Sequence, residues 1–576
     1  MGFQRSPRHC HRSTVKKLGS FGSVYFTGYG QRGGEIGMTA HTPEGPATLI
    51  LADMAKAHPQ LNCLDFLGQK MTYGEVWSDV LKATRGLQDL GIKKGDRIGL
   101  CLPNSPYYVI AHYAILLAGA VVVNFNPLYT EREIREQIDD SSIVLMFTLD
   151  LKTVYKKVAP ALHTTSLRSI VVCPLSEALP PLKSFLFQLF KRAEVANVPK
   201  DLGHIPFSLL SADKDQPKPV ALTPEKDIAV IQYTGGTTGT PKGAMLTHAN
   251  IRANAEQVRL WLGQTQPGAD KFLCVIPFFH VFAMTAAMNL GLTTGSELIL
   301  LPRFDLGEVL DTITQKKPTI FPAVPTIYGA INTAKDFDHF DLTSIRFCIS
   351  GGAPLPGKVK TEFERLSQCI LVEGYGLSEA SPVVTCNPPH SENKVGSIGL
   401  PLPWTDIECR NLENSEQVVA PGEVGELVVR GPQVMSGYLN QRNETAMVLK
   451  DGWLSTGDVG YQDQDGYFFL TDRIKDIIIC SGFKVYPQII ETALYRHEDV
   501  LEAIVIGMPD DYRGEAPMAF VTLKSGSIAT NKSLLDFANE NLNPIERPVS
   551  VEIRDSLPKT LVGKLSKKDL IKELAS

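Results

Sequence analysis

A run of glycine, threonine and lysine offers the clearest chemistry in this chain. Residues 233–244 read Tyr233-Thr234-Gly235-Gly236-Thr237-Thr238-Gly239-Thr240-Pro241-Lys242-Gly243-Ala244. Glycines let backbone N–H groups turn inward and approach closely, threonine hydroxyls add donors, and a lysine brings positive charge. Together these are the requirements of a loop that wraps a phosphate chain. Lys242 is followed by Gly243 and Ala244, which excludes the Gly-Lys-Ser/Thr ending of a Walker P-loop. The preceding Ile228-Ala229-Val230-Ile231-Gln232 reads as a short buried strand, so the loop is expected to leave a sheet edge. A flexible surface loop is the plainer reading of such a run, but Lys242 in register and four later motifs argue against it.

Those motifs appear in order. Tyr375-Gly376-Leu377-Ser378-Glu379 comes first, then Ser455-Thr456-Gly457-Asp458, Asp472-Arg473-Ile474-Lys475-Asp476, and Pro558-Lys559-Thr560-Leu561-Val562-Gly563-Lys564. With the phosphate loop they resemble the adenylate-forming enzymes, the superfamily of acyl-CoA synthetases, aryl-CoA ligases, luciferases and peptide-synthetase adenylation domains. The resemblance covers residues 45–576, and five motifs in sequence order make chance a poor explanation.

The resemblance implies a reaction and a set of roles. A carboxylate attacks the α-phosphate of ATP to give an acyl-adenylate and pyrophosphate, and a thiol then displaces AMP. Positioning and charge neutralisation dominate such transfers. Thr234, Gly235, Gly236, Thr237, Thr238, Gly239 and Lys242 would hold the phosphates. Gly352, Ala353 and Pro354 would form one wall of the adenine and acyl site, with Gly374, Tyr375 and Gly376 opposite, Tyr375 stacking on adenine and Ser378 donating to the α-phosphate. Glu379, with Thr237, would hold Mg²⁺, a hard-oxygen role. Asp458 would take the ribose hydroxyls, and Arg473 the ribose or a phosphate. Lys564 would be the adenylation lysine, although Leu565, Ser566 and Lys567 follow it where the family often has isoleucine and arginine. His280, in Pro277-Phe278-Phe279-His280-Val281-Phe282, would gate or orient the reacting carboxylate; a buried structural histidine is the plainer alternative. Lys475 would be the hinge about which a small domain turns, alternately presenting Lys564 and a coenzyme A tunnel at Ser481, Gly482 and Phe483.

Gly235 in place of the common serine, together with the Ile477–Pro487 run, resembles bacterial fatty-acyl-CoA synthetases. A medium- or long-chain fatty acid is therefore the expected substrate, with ATP, Mg²⁺ and coenzyme A. An aryl- or dicarboxylate-CoA ligase, or a fatty-acyl-AMP ligase that loads a carrier protein, would differ only in pocket lining or acceptor. A non-catalytic lipid-binding relative would need none of Lys242, Glu379, Asp458 and Lys564.

The elements that must position these residues follow from length and periodicity. At 576 residues the chain exceeds one compact core. Its net charge of −5 gives no case for nucleic acid. Ten cysteines without a Cys-x-x-Cys pair argue against zinc and suit a reducing cytoplasm. Residues 98–130 carry no Asp, Glu, Lys or Arg, but Pro103, Pro106 and Gly119 break the segment. It reads as a buried helix, a turn and a buried strand rather than a membrane span. Capping boxes at Thr72–Glu75 and Thr130–Glu133 start helices that alternate with strands, as in parallel α/β sheets. Strand patterns dominate residues 398–470, and alternation restarts on a smaller scale after Asp472.

The expected fold is α/β: a large nucleotide-binding domain at 38–472 made of parallel α/β sheets with a β-rich subdomain, and a small mobile α+β domain at 473–576. Residues 1–37 are basic, with no acid before Glu35. They read as a disordered extension or a start set upstream of Met38, a myristoylation or transit signal being the alternative. Residues 182–193 read as a core-packed surface helix whose basic amphipathic face could instead touch a membrane. A cytoplasmic enzyme, peripheral on the inner membrane face at most, is expected, with a homodimer left open.

Overall fold

The computed structural model describes residues 41–212, 215–234, 241–263, 265–334, 339–481, 483–510, 513–560 and 564–574. The extension 1–37, Gly235, Gly236, Thr237, Thr238, Gly239 and Gly482 lie outside the described residues. The chain divides after His41, and Thr42–Ser576 is one unit.

Two large sheets form its centre. The eight-stranded sheet runs Gly437–Tyr438, Lys242–Thr247, Ile228–Thr234, Val121–Asn124, Arg97–Cys101, Leu145–Leu149, Ser169–Cys173, His204–Pro206. From Ile228–Thr234 to His204–Pro206 the pairing is parallel. The strand before the phosphate loop is therefore interior and not at an edge. It pairs in antiparallel fashion with Lys242–Thr247, Thr234 standing opposite Lys242. The Gly/Thr run thus joins a hairpin, and Lys242 opens the second strand. The nine-stranded sheet carries Ile320–Ala323, Phe347–Ser350 and Ile370–Gly376 in parallel register. It delivers 351–354 and 376–379 to neighbouring strand ends.

Apolar side chains from both sheets, among them Val122, Val230, Leu273 and Ile349, share one hydrophobic cluster with Val76, Tyr108 and Val258 from helices. Pro106–Leu117 is buried nearly all round and Val121–Asn124 is buried throughout. That accounts for the uncharged stretch without a membrane span. Among the described residues no helix is long and apolar enough to cross a membrane. Both expected capping boxes form, Thr72 with Glu75 and Thr130 with Glu133.

The β-rich portion is an antiparallel sheet of Asp406–Arg410, Gly425–Arg430, Trp453–Gln462, Leu449–Lys450 and Phe468–Arg473. Beyond it lies a second five-stranded sheet built on the hairpin Val500–Asp510 and Gly514–Leu523. Alternating side chains of that hairpin feed two small cores. Val505 and Val521 pack with Ile490 and Leu534, while Ile504, Ile506 and Phe520 pack with Leu557 and Leu570. Two hydrophobic faces on one short hairpin let about a hundred C-terminal residues carry their own cores.

The helix Pro181–Phe190 forms as read, but none of its residues is buried. The core-packed expectation for this segment fails.

Candidate active site

The hairpin 228–247 places Lys242 beside a group of ionisable side chains. Its ammonium forms a short ion pair with Glu444 and stands 5.3 Å from the centre of the Tyr438 ring. Tyr438 donates to Glu379 Oε1 at 2.8 Å. Glu379 itself sits in the single 3₁₀ turn Ser378–Ala380, which follows directly from the strand Ile370–Gly376. Burial raises its pKa, opposed by the Tyr438 hydrogen bond. A carboxylate whose charge is disfavoured by its surroundings is one that a divalent cation would stabilise. Among the described residues no three His, Cys, Asp or Glu side chains gather as a ligand cage. The donor set therefore fits Mg²⁺ held by one carboxylate and phosphate oxygens.

A second group forms where the antiparallel sheet meets this strand end. Strand register puts Asp458 opposite Arg473. The Arg473 guanidinium approaches Asp458 Oδ1 at 3.1 Å, and Tyr375 donates to Oδ2 at 2.6 Å. Both carboxylate oxygens are thus engaged, and a ribose diol would replace the Tyr375 proton. Close packing explains Gly376: a Cβ there would lie 2.0 Å from the Pro382 carbonyl oxygen.

The third group joins residues 276–352 to Lys564 near the end of the sequence. A slot of about 20 Å³ is lined by Ile276, Pro277, His280, Phe282, Ala283, Val324, Gly352 and Lys564. Gly352 has φ +83°, and a Cβ there would meet Lys564 Cε at 2.7 Å and Nζ at 3.0 Å. Any side chain at 352 would push the ammonium out. Burial lowers the Lys564 pKa to about 8, helped by Arg473 and opposed by Asp458. Burial likewise lowers His280 to about 3, with Lys564 adding to the effect. His280 is therefore neutral at pH 7 and can orient an anion by hydrogen bonding but adds no charge.

The structure does not bring Ser481 and Phe483 to this slot. They flank a hairpin turn between Ile478–Cys480 and Phe483–Val485, both are exposed, and Phe483 is 63% exposed. Lys475 lies in the short turn Ile474–Asp476 that leaves the strand ending at Arg473. Ala353 and Pro354 form the lip beside Gly352. Leu355 N–H, next in line, donates to Glu373 Oε1 at 3.1 Å.

Sequence reading passed over the residues that hold the His280 segment. Asn104 donates to the carbonyls of Cys274 and Ile276 at 3.1 and 3.0 Å and accepts from Phe278 N–H at 2.8 Å. Gln232 donates to the Phe279 carbonyl at 3.0 Å, and Tyr108 to that of Phe278 at 2.9 Å. Glu373, whose carboxyl burial raises to about 8, anchors the opposite lip. Their only sequence signal was polarity inside otherwise apolar runs.

Comparison with known proteins agrees with this geometry. The family model described as AMP-binding enzyme matches residues 51–439, and AMP-binding enzyme C-terminal domain matches 489–564. A long-chain-fatty-acid–CoA ligase of Bacillus subtilis (strain 168) is 45% identical over 91% of this chain and 94% of its own length. The enzyme of that name from Salmonella typhimurium is 38% identical over 84% of this chain and 86% of its own. Among solved structures, an anthranilate CoA ligase in complex with anthranoyl-AMP superposes with a TM-score of 0.80 at 25% identity. That match covers 92% of this chain and 98% of the other. With both models matched in order and a 45% identical relative covering 91% of it, the chain belongs to the family of AMP-binding enzymes.

Proposed function

We propose that this protein joins a long-chain fatty acid to coenzyme A through an acyl-adenylate, releasing AMP and pyrophosphate. The observation that carries this reading is the entry of Lys564, from the C-terminal sheet region, into the slot between His280 and Gly352. A cation delivered there from a separate hydrophobic core suits a reaction whose first step brings two anions together.

In that step a carboxylate oxygen forms a bond to the α-phosphorus while the bond to the β-phosphate bridging oxygen breaks. Lys564 offsets the charge on the entering carboxylate and on the pentavalent phosphorus. His280, neutral, orients the carboxylate. Lys242, Thr234 and the loop 235–239 hold the phosphates, with Ser378 on the α-phosphate. Glu379 and Thr237 would hold Mg²⁺, which when bound offsets phosphate charge. Tyr375 stacks on adenine against the 352–354 lip and frees Asp458 for the ribose, next to Arg473. Ile276, Phe282, Ala283 and Val324, the apolar lining of the slot, would face the acyl chain.

In the second step the coenzyme A sulfur bonds to the acyl carbon and AMP leaves. We place a large domain at 38–472 and a mobile one at 473–576, turning at Lys475 to exchange Lys564 for the 481–483 hairpin. The arrangement described above, Lys564 inside and Phe483 exposed, suits the adenylating orientation. Among the described residues nine cysteines are buried and free, which suits a reducing cytoplasm.

The test is a panel of octanoate, palmitate, benzoate and malonate assayed for ATP–pyrophosphate exchange, with and without coenzyme A. Palmitate should support the strongest exchange and be converted to its thioester. Exchange with benzoate or malonate alone would reject the fatty acid, and adenylate without thioester would reject coenzyme A as acceptor.

A further inference from the structure

Asp140 stands where helix physics disfavours it. It lies in the last turn of the helix Glu131–Ser141, which carries no basic residue there. Carbonyls at a helix C-terminus lack partners within the helix and carry partial negative charge, so a carboxylate in that turn is repelled. Helix propensity gives no reason for an acid at 140. Its partners do. Oδ2 accepts a short hydrogen bond from the Tyr233 hydroxyl. Asn440 Nδ2 donates to Oδ1 at 3.3 Å and to the Asp140 main-chain carbonyl at 3.0 Å, which satisfies one of the helix-end carbonyls. Asn440 has φ +56°, a left-handed backbone that asparagine tolerates better than most residues.

One carboxylate therefore grips two segments that flank the strand opened by Lys242. On one side Tyr233, buried and directly before Thr234, stands opposite Gly243 in the hairpin. On the other, Leu439 N–H donates to the Gly243 carbonyl at 2.8 Å, and Tyr438 before it reaches Glu379. A Cβ at 243 would lie 3.3 Å from Tyr233 Cζ and 3.4 Å from Leu439 Cβ. Both side chains close over this glycine, the residue after Lys242.

We propose that Asp140 is a positioning residue for the nucleotide triphosphate. By holding Tyr233 and Asn440 it fixes the strand end that leads into the phosphate loop and the turn that follows Tyr438, and with them the places of Lys242 and Glu379. This rests on the ligase reading, which takes the 234–242 hairpin as the phosphate site. AMP is the discriminating ligand. Tyr375, Asp458 and Arg473, which that reading gives to adenosine, lie on strands of two other sheets.

The test is calorimetric titration of the full-length protein, with no acid present, using MgATP and AMP in turn. Asp140→Ala should weaken ATP about ten-fold and leave AMP within about two-fold of wild type. Asp140→Asn keeps an acceptor for Tyr233 and the main-chain carbonyl for Asn440, and should bind ATP more tightly than Asp140→Ala. Tyr233→Phe removes one hydroxyl and little packing. It should weaken ATP but not AMP, and adding it to Asp140→Ala should cost less than it does alone. In steady state the KM for ATP should rise while that for the fatty acid stays level. ATP and AMP weakened alike would make Asp140 merely structural and overturn the proposal, as would an Asp140→Ala protein that binds ATP like wild type. Either result leaves the ligase reading standing, whereas a wild type that binds neither nucleotide removes both.

Discussion

Lys564 does two jobs that conflict. It must be charged to draw a carboxylate towards phosphate, yet its slot disfavours charge and lowers its pKa to about 8. The sign is definite: below about pH 8 the free enzyme carries the cation, and above it the cation is lost. kcat/KM for ATP–pyrophosphate exchange should therefore be level below that pH and decline above it, and Lys564→Arg should move the decline out of reach; a pH profile identical in both proteins would contradict this. Motif order alone singled out Lys564, Glu379, Asp458 and Arg473 as candidates. It could not name their partners. Tyr438 is far from Glu379 in sequence, and only the pairing of Gly437–Tyr438 with Lys242–Thr247 brings its hydroxyl there.

The strand ends owe their precision to buried polar side chains. Asn104 closes three hydrogen bonds with the backbone that leads to His280. Asn104→Ala would leave those groups unpaired and should cost about 3 kcal/mol of stability. Exchange should also fall more in kcat than in KM for the acid, as measured by urea unfolding and steady-state kinetics. A second consequence concerns the helices. His112 and His248 are buried, and none of their ring nitrogens has a hydrogen-bond partner. Burial lowers them to about 3 and about 4 from 6.5, His248 adding to the effect on His112, while Asp227 opposes it at His248. The unfolded chain takes up these protons near pH 6.5 and the folded one only near 3 to 4, so stability is lost as pH falls through that interval. His112→Leu should reduce the slope of unfolding free energy between pH 6 and 4 by about 1.4 kcal/mol per pH unit.

Helices and parallel strands were legible because capping boxes and apolar runs are local signals. The interior position of Ile228–Thr234 was not, since the antiparallel return of Lys242–Thr247 depends on turn residues that give no strand pattern. The full extent of the hairpin Val500–Asp510 with Gly514–Leu523 was likewise not legible. Pro509 and Pro517 interrupt its periodicity, and only the cross-strand pairing carries the strands on. The helix at 181–190 was read correctly as a helix and wrongly as packed, because an apolar stripe looks the same whether it faces a core or solvent.

Exposed lysines are among the contacts between the region before Asp472 and the region after it. Lys358 donates to the carbonyls of Arg496 and His497, each at 3.0 Å, and Lys484 approaches Glu413 at 3.7 Å. Exposed lysine contacts of this kind contribute little stability, which suits the rotation of the C-terminal domain proposed above. Catalysis should depend on that domain and not on the extension. Removing residues 1–37 should leave palmitate turnover unchanged within about two-fold, since no motif residue lies there; a large loss would make the extension part of the working fold.

The decisive assay compares Lys564→Ala with wild type in the two half-reactions separately. Palmitate-dependent ATP–pyrophosphate exchange should fall by at least about a hundred-fold, while thioester formation from supplied palmitoyl-adenylate and coenzyme A stays within a few-fold of wild type. Equal loss of both steps, or exchange that survives the substitution, would contradict the assignment of Lys564 as the cation that one orientation of the C-terminal domain brings to the site.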